Sequence, residues 1–301
     1  MLRLSFTYKK SSGHLTFLRT KRYNPSSITA IVPCFNSSET LPKVLASLHR
    51  QTIPPYEILV IDDGSTDDTS TLAQEMQCRV IRFDKNYGRG HSRNVGILEC
   101  KTPFALFCDS SNILPRNFSS IALKHFEEPS TSAVFGRIAN HQEMNDVLSR
   151  WRARHLFKEH LDFCKDIHEV QSLISYAVLF RKDAVLAAGN FDRTLRKCED
   201  QDIGEKLIRA DFKIISDPSL VAYSIRLETM TSLTIRFNRW FSSHQKGFRR
   251  WNAFFNTLQS SIKIFFRDDC RRKDFRLMII SLSLPFWLLA VSFFKKKSLT
   301  S

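Results

Sequence analysis

The chain has 301 residues, 43% apolar content and a net charge of +15. That is enough for one large α/β domain with an appendage, and too apolar for a disordered chain. Residues 1–25 carry +6 and residues 236–297 carry +11, which leaves the rest close to neutral at −2. Basic ends around a neutral body argue against a nucleic-acid-binding fold. The apolar run after the second basic stretch points instead to an anionic membrane face. The seven cysteines (Cys34, Cys78, Cys100, Cys108, Cys164, Cys198, Cys270) are scattered and form no CxxC pair. They read as reduced thiols of a cytosolic compartment, not a disulfide frame or a zinc site. The N-terminus is basic but lacks the apolar core of about 7–15 residues found in a secretory signal.

Residues 1–25 read as a basic lead-in with an early strand at Leu2–Tyr8, and Tyr23–Ser27 as turn chemistry. The main domain is predicted over 26–235. Thr29–Asn36 is a strand. Ser37 or Ser38 is expected to cap a helix with Leu41, Val44, Leu45 and Leu48 on one face, which Gln51–Pro55 ends. Glu57–Asp62 is the second strand. Ser65-Thr66-Asp67-Asp68 reads as a capping box for a helix with Leu72 and Met76 inward. Arg79–Arg82 is a third strand. The polar loop Asp84–His91 leads to a helix from Ser92-Arg93-Asn94, with Val95, Ile97 and Leu98 inward. Phe104–Cys108 is continuously apolar, as a central strand buried on both faces must be, and it stops at Asp109-Ser110-Ser111-Asn112.

A helix near Asn117–Glu128 and a strand at Ala133–Gly136 continue the alternation. This predicts an α/β fold with a mostly parallel sheet flanked by helices. From 137 the pattern loosens: a charged helical region over 142–170, a strand at Ala177–Phe180, a turn at Gly189–Asp192, and a helix opened by Cys198-Glu199-Asp200 with Ile203, Leu207 and Ile208 on its face. The polar strand ends fall on one edge of the sheet, where open α/β sheets bind ligands.

Five blocks in this order resemble family 2 glycosyltransferases of the GT-A type: Val32-Pro33-Cys34-Phe35-Asn36; Val60-Ile61-Asp62-Asp63-Gly64-Ser65-Thr66-Asp67-Asp68-Thr69; Asn86 to Arg93-Asn94; Asp109; and Glu199-Asp200. The resemblance covers roughly residues 28–235. It implies a Rossmann-like fold, a nucleotide-diphospho-sugar donor, and inverting transfer to an acceptor hydroxyl in cell-envelope glycan or glycolipid synthesis.

Carried onto this chain, the resemblance implies that Asp63 hydrogen-bonds the nucleobase. Pro33 and Glu39 line the same edge, with Glu39 in reach of ribose or base, and Arg93 near a helix start meets the diphosphate. The plain alternatives are a solvated turn carboxylate, an ordinary helix acid and a surface arginine. The family usually has Asp-x-Asp where this chain has Asp109-Ser110-Ser111. Ser111 therefore replaces the carboxylate that holds Mg2+ or Mn2+, and a hydroxyl is the weaker ligand. Either Asp109 holds the ion with Asn112 or waters, or Arg or Lys side chains take the ion's place. Asp200 is implied as the base that takes the acceptor's proton, with Glu199 orienting it or the acceptor. Arg236-Phe237-Asn238-Arg239-Trp240 matches the Arg-x-x-Arg-Trp pattern of processive members. There the basic residues meet the diphosphate and the tryptophan shapes the acceptor site; a basic helix at a membrane surface is the other reading.

Residues 236–301 read as a basic, aromatic interfacial segment and a hydrophobic membrane-associating helix, expected at the cytoplasmic face of a membrane. Leu277–Phe294 has no charge but contains Pro285, at the lower edge of a bilayer span, with cations at both ends. A single span and an in-plane hairpin both fit. Without several membrane helices to form a channel, transfer of one or few sugars to a glycan or lipid-linked acceptor is expected. A rival reading is a non-catalytic nucleotide-sugar binder or membrane scaffold with a degenerate Asp-x-Asp motif. A dehydrogenase is disfavoured because no Gly-x-Gly-x-x-Gly follows the first strand.

Overall fold

The computed structural model describes residues 27–159, 166–241, 258–259 and 261–294. The basic lead-in with its expected strand, most of the basic aromatic stretch, and Cys164 lie outside these. The strands found are β1 (Ile28–Cys34), β2 (Glu57–Asp62), β3 (Arg79–Arg82), β4 (Phe104–Cys108), β5 (Asn112–Ile113), β6 (Thr131–Asn140), β7 (His168–Glu169), β8 (Ala177–Arg181) and β9 (Lys213–Ser224). The helices are α1 (Leu41–His49), α2 (Thr69–Glu75), α3 (Arg89–Glu99), α4 (Phe118–Lys124), α5 (Val147–His155), α6 (Lys182–Ala187), α7 (Glu199–Arg209), α8 (Met230–Phe241), α9 (Arg267–Arg271) and α10 (Phe275–Phe294).

One sheet carries the fold, in the order β3-β2-β1-β4-β8-β6-β9-β5, with β7 paired to β9. β3, β2, β1 and β4 are mutually parallel. Beyond β4 the sheet becomes mixed: β8 runs antiparallel to both β4 and β6, while β9 is parallel to β6. Every residue of β4 is fully buried, because helices cover both faces. On one face Ile28, Ala30 and Val32 pack with Leu41, Val44, Leu45 and Leu48 of α1 and Phe118 of α4. On the other, Ile31, Leu59 and Ile61 pack with Ile97 of α3, Val185 of α6 and Ile203 and Leu207 of α7. Alternate residues of a strand point to opposite faces, so two cores require the unbroken apolar runs seen in the sequence.

Several local expectations change. Helix α1 has Thr40 at its N-cap, with no side-chain cap; Ser37 accepts the Thr40 and Leu41 amides through its carbonyl. Helix α2 likewise lacks a side-chain cap and buries Thr69, Ser70 and Ala73, whereas Leu72 and Met76 are half-buried. Helix α3 starts at Arg89, a turn earlier than expected, and leaves Leu98 51% exposed. Its sheet-facing side needs small residues: a Cβ on Gly96 would lie 2.7 Å from Ile31. The region 142–170 holds α5 and β7, not one long helix. The 12-residue strand β9 was not read, because its inward Ile214, Leu220 and Ala222 are interleaved with Asp217, Pro218 and Ser219.

At the shift in register between β6 and β9, Gly136 lets the strands close. A Cβ there would collide with the Leu220 carbonyl and reach 2.6 Å from that of Asp217. Gly136→Ala is therefore expected to cost about 1–3 kcal/mol through overpacking, read as a lower urea midpoint.

A third, smaller core joins α5, α8, α10 and a π-helical segment, Ser261–Phe266, around Trp151, Leu156, Leu233, Phe237, Phe265, Leu277 and Leu284. Polar contacts fix this layer. The buried Asp269 carboxylate accepts from Arg154 at 2.8 Å, His155 at 2.9 Å and Ser281 at 2.7 Å. The expected boundary at 235/236 falls inside α8. No helix of the described residues is long and apolar enough to cross a membrane.

Candidate active site

Because β1, β2, β3 and β4 are parallel, the segments that follow them converge on one edge. Strand order reverses between β1 and β4, the place where such sheets open a crevice. Polar bonds stitch that edge together. Asn36, in a left-handed conformation at φ 49, accepts the Thr66 amide at 2.8 Å and donates its own to Ser65 Oγ at 2.9 Å. Asp67 accepts the Ser38 amide at 3.0 Å and that of Thr69 at 3.1 Å. Partial burial would raise the Asp67 pKa, but these bonds hold it at about 2. It ties two loops together instead of completing a capping box. Across the β1–β4 crevice, Ser37 and Ser110 share a hydroxyl bond of 2.8 Å, and Thr40 donates to the Ser110 carbonyl at 2.6 Å.

Asp63 lies on this edge, 5% exposed. Its two oxygens accept the Tyr87 amide at 2.7 Å and the Gly88 amide at 2.8 Å. Burial raises its pKa, and these amides oppose the shift. Asp63 therefore folds the 84–88 loop back to β2, and a nucleobase would meet a carboxylate already engaged. Pro33 is half-buried near the end of β1. Glu39 is exposed in the turn before α1 and makes no hydrogen bond or ion pair among the described residues.

Arg93 departs from expectation. It is 1% exposed, because the earlier start of α3 places it one turn inside the helix, facing the sheet. Its guanidinium bonds Glu199, donates to Asp109 Oδ1 at 3.0 Å and to the Ser175 carbonyl at 3.3 Å, and keeps a buried Nε without a partner among the described residues. It is not an open cation facing a diphosphate. It clasps the end of β4 to the start of α7. Burial would lower its pKa, but Glu199, Asp109 and Asp200 push it up, so it stays charged.

Glu199, 4% exposed, is committed to Arg93. Asp200 is half-buried, accepts a long 3.4 Å bond from Ser175 and its neighbour's amide at 3.0 Å, and has no ion-pair partner among the described residues. Burial raises its pKa, Glu199 adds to the rise, and Arg93 opposes it. Cys198, left-handed at φ 59, makes the turn that presents this acidic pair at the α7 N-terminus, where the helix dipole favours anions.

The residues that would hold a divalent cation fit it poorly. Asp109 already gives one oxygen to Arg93. Asn112 is 2% exposed and donates its amide to the Tyr176 carbonyl at 3.1 Å, so it is not the completing ligand once expected. Ser111 adds a neutral hydroxyl. One shared carboxylate and a hydroxyl fall short of the oxygen cage of Mg2+ or Mn2+. His155, Asp268 and Asp269 bring ligand atoms within 4.8 Å of one another in the C-terminal layer, but Asp269 is already saturated by the contacts described above.

Arg236 bonds Glu228 Oε1 at 2.9 Å, and the same oxygen takes Arg152 at 2.9 Å. The side chains of Arg239 and Trp240 lie outside the described residues. Glu228, Arg152 and Ser175 had no sequence signal: each is positioned by β9, by α5 or by the approach to β8, where the periodic pattern fades.

Residues 29–187 match the family model of glycosyl transferase family 2. The pre-mycofactocin glycosyltransferase of Mycobacterium tuberculosis is 28% identical over 211 residues, covering 67% of this chain and 43% of that protein. The chain thus spans less than half of that relative's length. Among solved structures, TarS of S. aureus in complex with UDP-GlcNAc aligns with a TM-score of 0.56 at 17% identity, covering 87% of this chain and 81% of that one. The mannosyltransferase PcManGT of Pyrobaculum calidifontis, in complex with GDP-Man and Mn2+, aligns with a TM-score of 0.57 at 14% identity, covering 91% and 90%. These likenesses establish a shared fold.

Proposed function

The chain belongs to glycosyl transferase family 2, and on that premise we propose that it moves a sugar, with inversion, from a nucleotide-diphospho-sugar to an acceptor hydroxyl. The observation that carries this reading is the Asp200 carboxylate, without an ion-pair partner among the described residues, beside the Asp109–Arg93–Glu199 clasp at the edge where the strands end. The acceptor oxygen attacks the anomeric carbon as the bond from that carbon to the phosphate oxygen breaks. The nucleoside diphosphate leaves with the bonding electrons. Asp200 takes the acceptor's proton, and a raised pKa suits a group that must receive one. Glu199 holds Arg93, and Arg93 holds Asp109, so the base and the donor edge keep one geometry.

A thermal-shift screen of UDP-, GDP- and dTDP-sugars, followed by donor-turnover assays on acceptor panels, tests this. One donor class should raise Tm, since a ligand at 100 times its Kd adds about 2.7 kcal/mol, and should then be consumed. Binding without turnover would favour the non-catalytic reading; no shift with any sugar nucleotide would sink both.

The reading extends to a lipid surface. Phe275, Ile279, Leu282 and Phe286 are 72%, 67%, 40% and 59% exposed. They recur every three or four residues, as one stripe of α10 opposite the buried Leu277, Leu284 and Leu288. Exposed Arg271, Arg272, Lys273 and Arg276 stand at its start. An apolar stripe with a cationic head suits an anionic bilayer surface, with the helix lying in the interface. The acceptor is then a lipid-linked or membrane-held glycan. The protein should co-sediment with phosphatidylserine-containing vesicles and at least tenfold less with phosphatidylcholine alone, and Phe275→Glu with Ile279→Glu should release it. Equal recovery in the supernatant for both lipids would overturn the lipid assignment.

A further inference from the structure

The poor metal set at Asp109–Asn112 has a counterpart on the neighbouring strand. The segment leaving β9 runs against Ser111: Asn112 pairs with Ser224, and the Ile225 amide donates to the Ser111 carbonyl at 3.0 Å. The next residue is Arg226, exposed, with its carbonyl held by Arg152 Nη1 at 2.8 Å. Beyond it, Glu228 is shared by Arg152 and Arg236 at 2.9 Å each. Arg152 and Arg236 thus share one Glu228 oxygen, and the buried Arg236 Nε has no hydrogen-bond partner among the described residues. Burial depresses the Arg236 pKa to about 10 against the opposing pull of Glu228, and the charges of Arg152, Arg226 and Arg89 add to the fall. Neither the Arg89 nor the Arg226 side chain makes a hydrogen bond or ion pair among the described residues. Arg226 therefore follows directly on the residue bonded to Ser111, where a second carboxylate would have called for a metal.

We propose that Arg226 binds the donor diphosphate directly and supplies the positive charge that a divalent ion would otherwise bring. This rests on the glycosyltransferase reading. Arginine suits the task because its planar fork meets phosphate oxygens in pairs and never loses its charge. Charge-assisted bonds of this kind also stabilise the leaving diphosphate as its negative charge builds. With serine at position 111, this edge carries no second carboxylate to offset the charge of Arg226.

Isothermal titration of the full chain with UDP, with GDP and with inorganic pyrophosphate, each in EDTA and then with Mn2+, tests the assignment. One nucleotide should bind in EDTA, pyrophosphate should compete with it, and Mn2+ should change its Kd less than about twofold. Arg226→Ala should weaken binding at least tenfold at an unchanged Tm, since the side chain is exposed. Binding that appears only with Mn2+, or an Arg226→Ala Kd equal to wild type, overturns the arginine assignment and leaves the transferase reading standing. No binding of any of the three, with or without metal, overturns both.

Discussion

Asp200→Asn is expected to lower turnover by about 10²–10⁴-fold, the usual contribution of a positioned base, while nucleotide affinity and Tm stay close to wild type. The substitution keeps shape and removes only the proton-accepting charge, and Asp200 has no ion pair to lose among the described residues. Its neighbour behaves differently: Glu199→Gln removes the charge that balances the buried Arg93 and should lower Tm as well as rate. The pH profile carries the same assignment. A base works only when deprotonated, so activity falls as pH drops through its pKa. Burial raises the Asp200 pKa, so the acid limb should lie above the ordinary carboxylate range. Asp200→Asn should erase that limb from the residual rate. Full turnover in this variant would remove Asp200 from the mechanism.

Arg93→Met is expected to cost about 3–5 kcal/mol of stability, because removing one partner leaves buried charge uncompensated. Two carboxylates depend on this guanidinium, Glu199 at 5% and Asp109 at 27% side-chain exposure. A chemical-denaturation curve should show the midpoint fall sharply. Combining Arg93→Met with Glu199→Met should recover part of the loss, since the cost lies in the stranded charge and not in a missing contact. A surface arginine that only met a diphosphate would behave in the opposite way, changing nucleotide Kd and leaving the denaturation midpoint in place.

Much of the framework was legible in the sequence because it rests on local periodicity. The apolar runs at Thr29–Asn36, Glu57–Asp62 and Phe104–Cys108 read as strands, and the unbroken run Phe104–Cys108 as one covered on both faces. The helical stripe Leu41, Val44, Leu45 and Leu48 could only face one of those cores, and all four residues are fully buried. From alternating strands and helices followed the parallel half of the sheet and the edge where its polar ends meet. The acidic start of α7 was also legible, since Glu199-Asp200 lies where a helix dipole welcomes negative charge.

Tertiary structure alone decided what each edge residue does, because charge and burial are settled between segments far apart in the chain. Arg93 read as an open cation, yet it is enclosed by Glu199, 106 positions away, since a buried guanidinium is tolerable only when paired. Asp63 read as a partner of the nucleobase, and tertiary structure adds that each of its oxygens accepts a backbone amide from the 84–88 loop. Asn112 read as a spare metal ligand, yet β5 pairing with β9 buries it. The same pairing brings Ile225, and with it the segment that carries Arg226, to Ser111 across more than a hundred residues of sequence, a contact no local pattern encodes. The sequence by itself determined the fold and the edge; the packing of β9 and α7 against that edge decided which of its charges are spent and which remain available to a substrate.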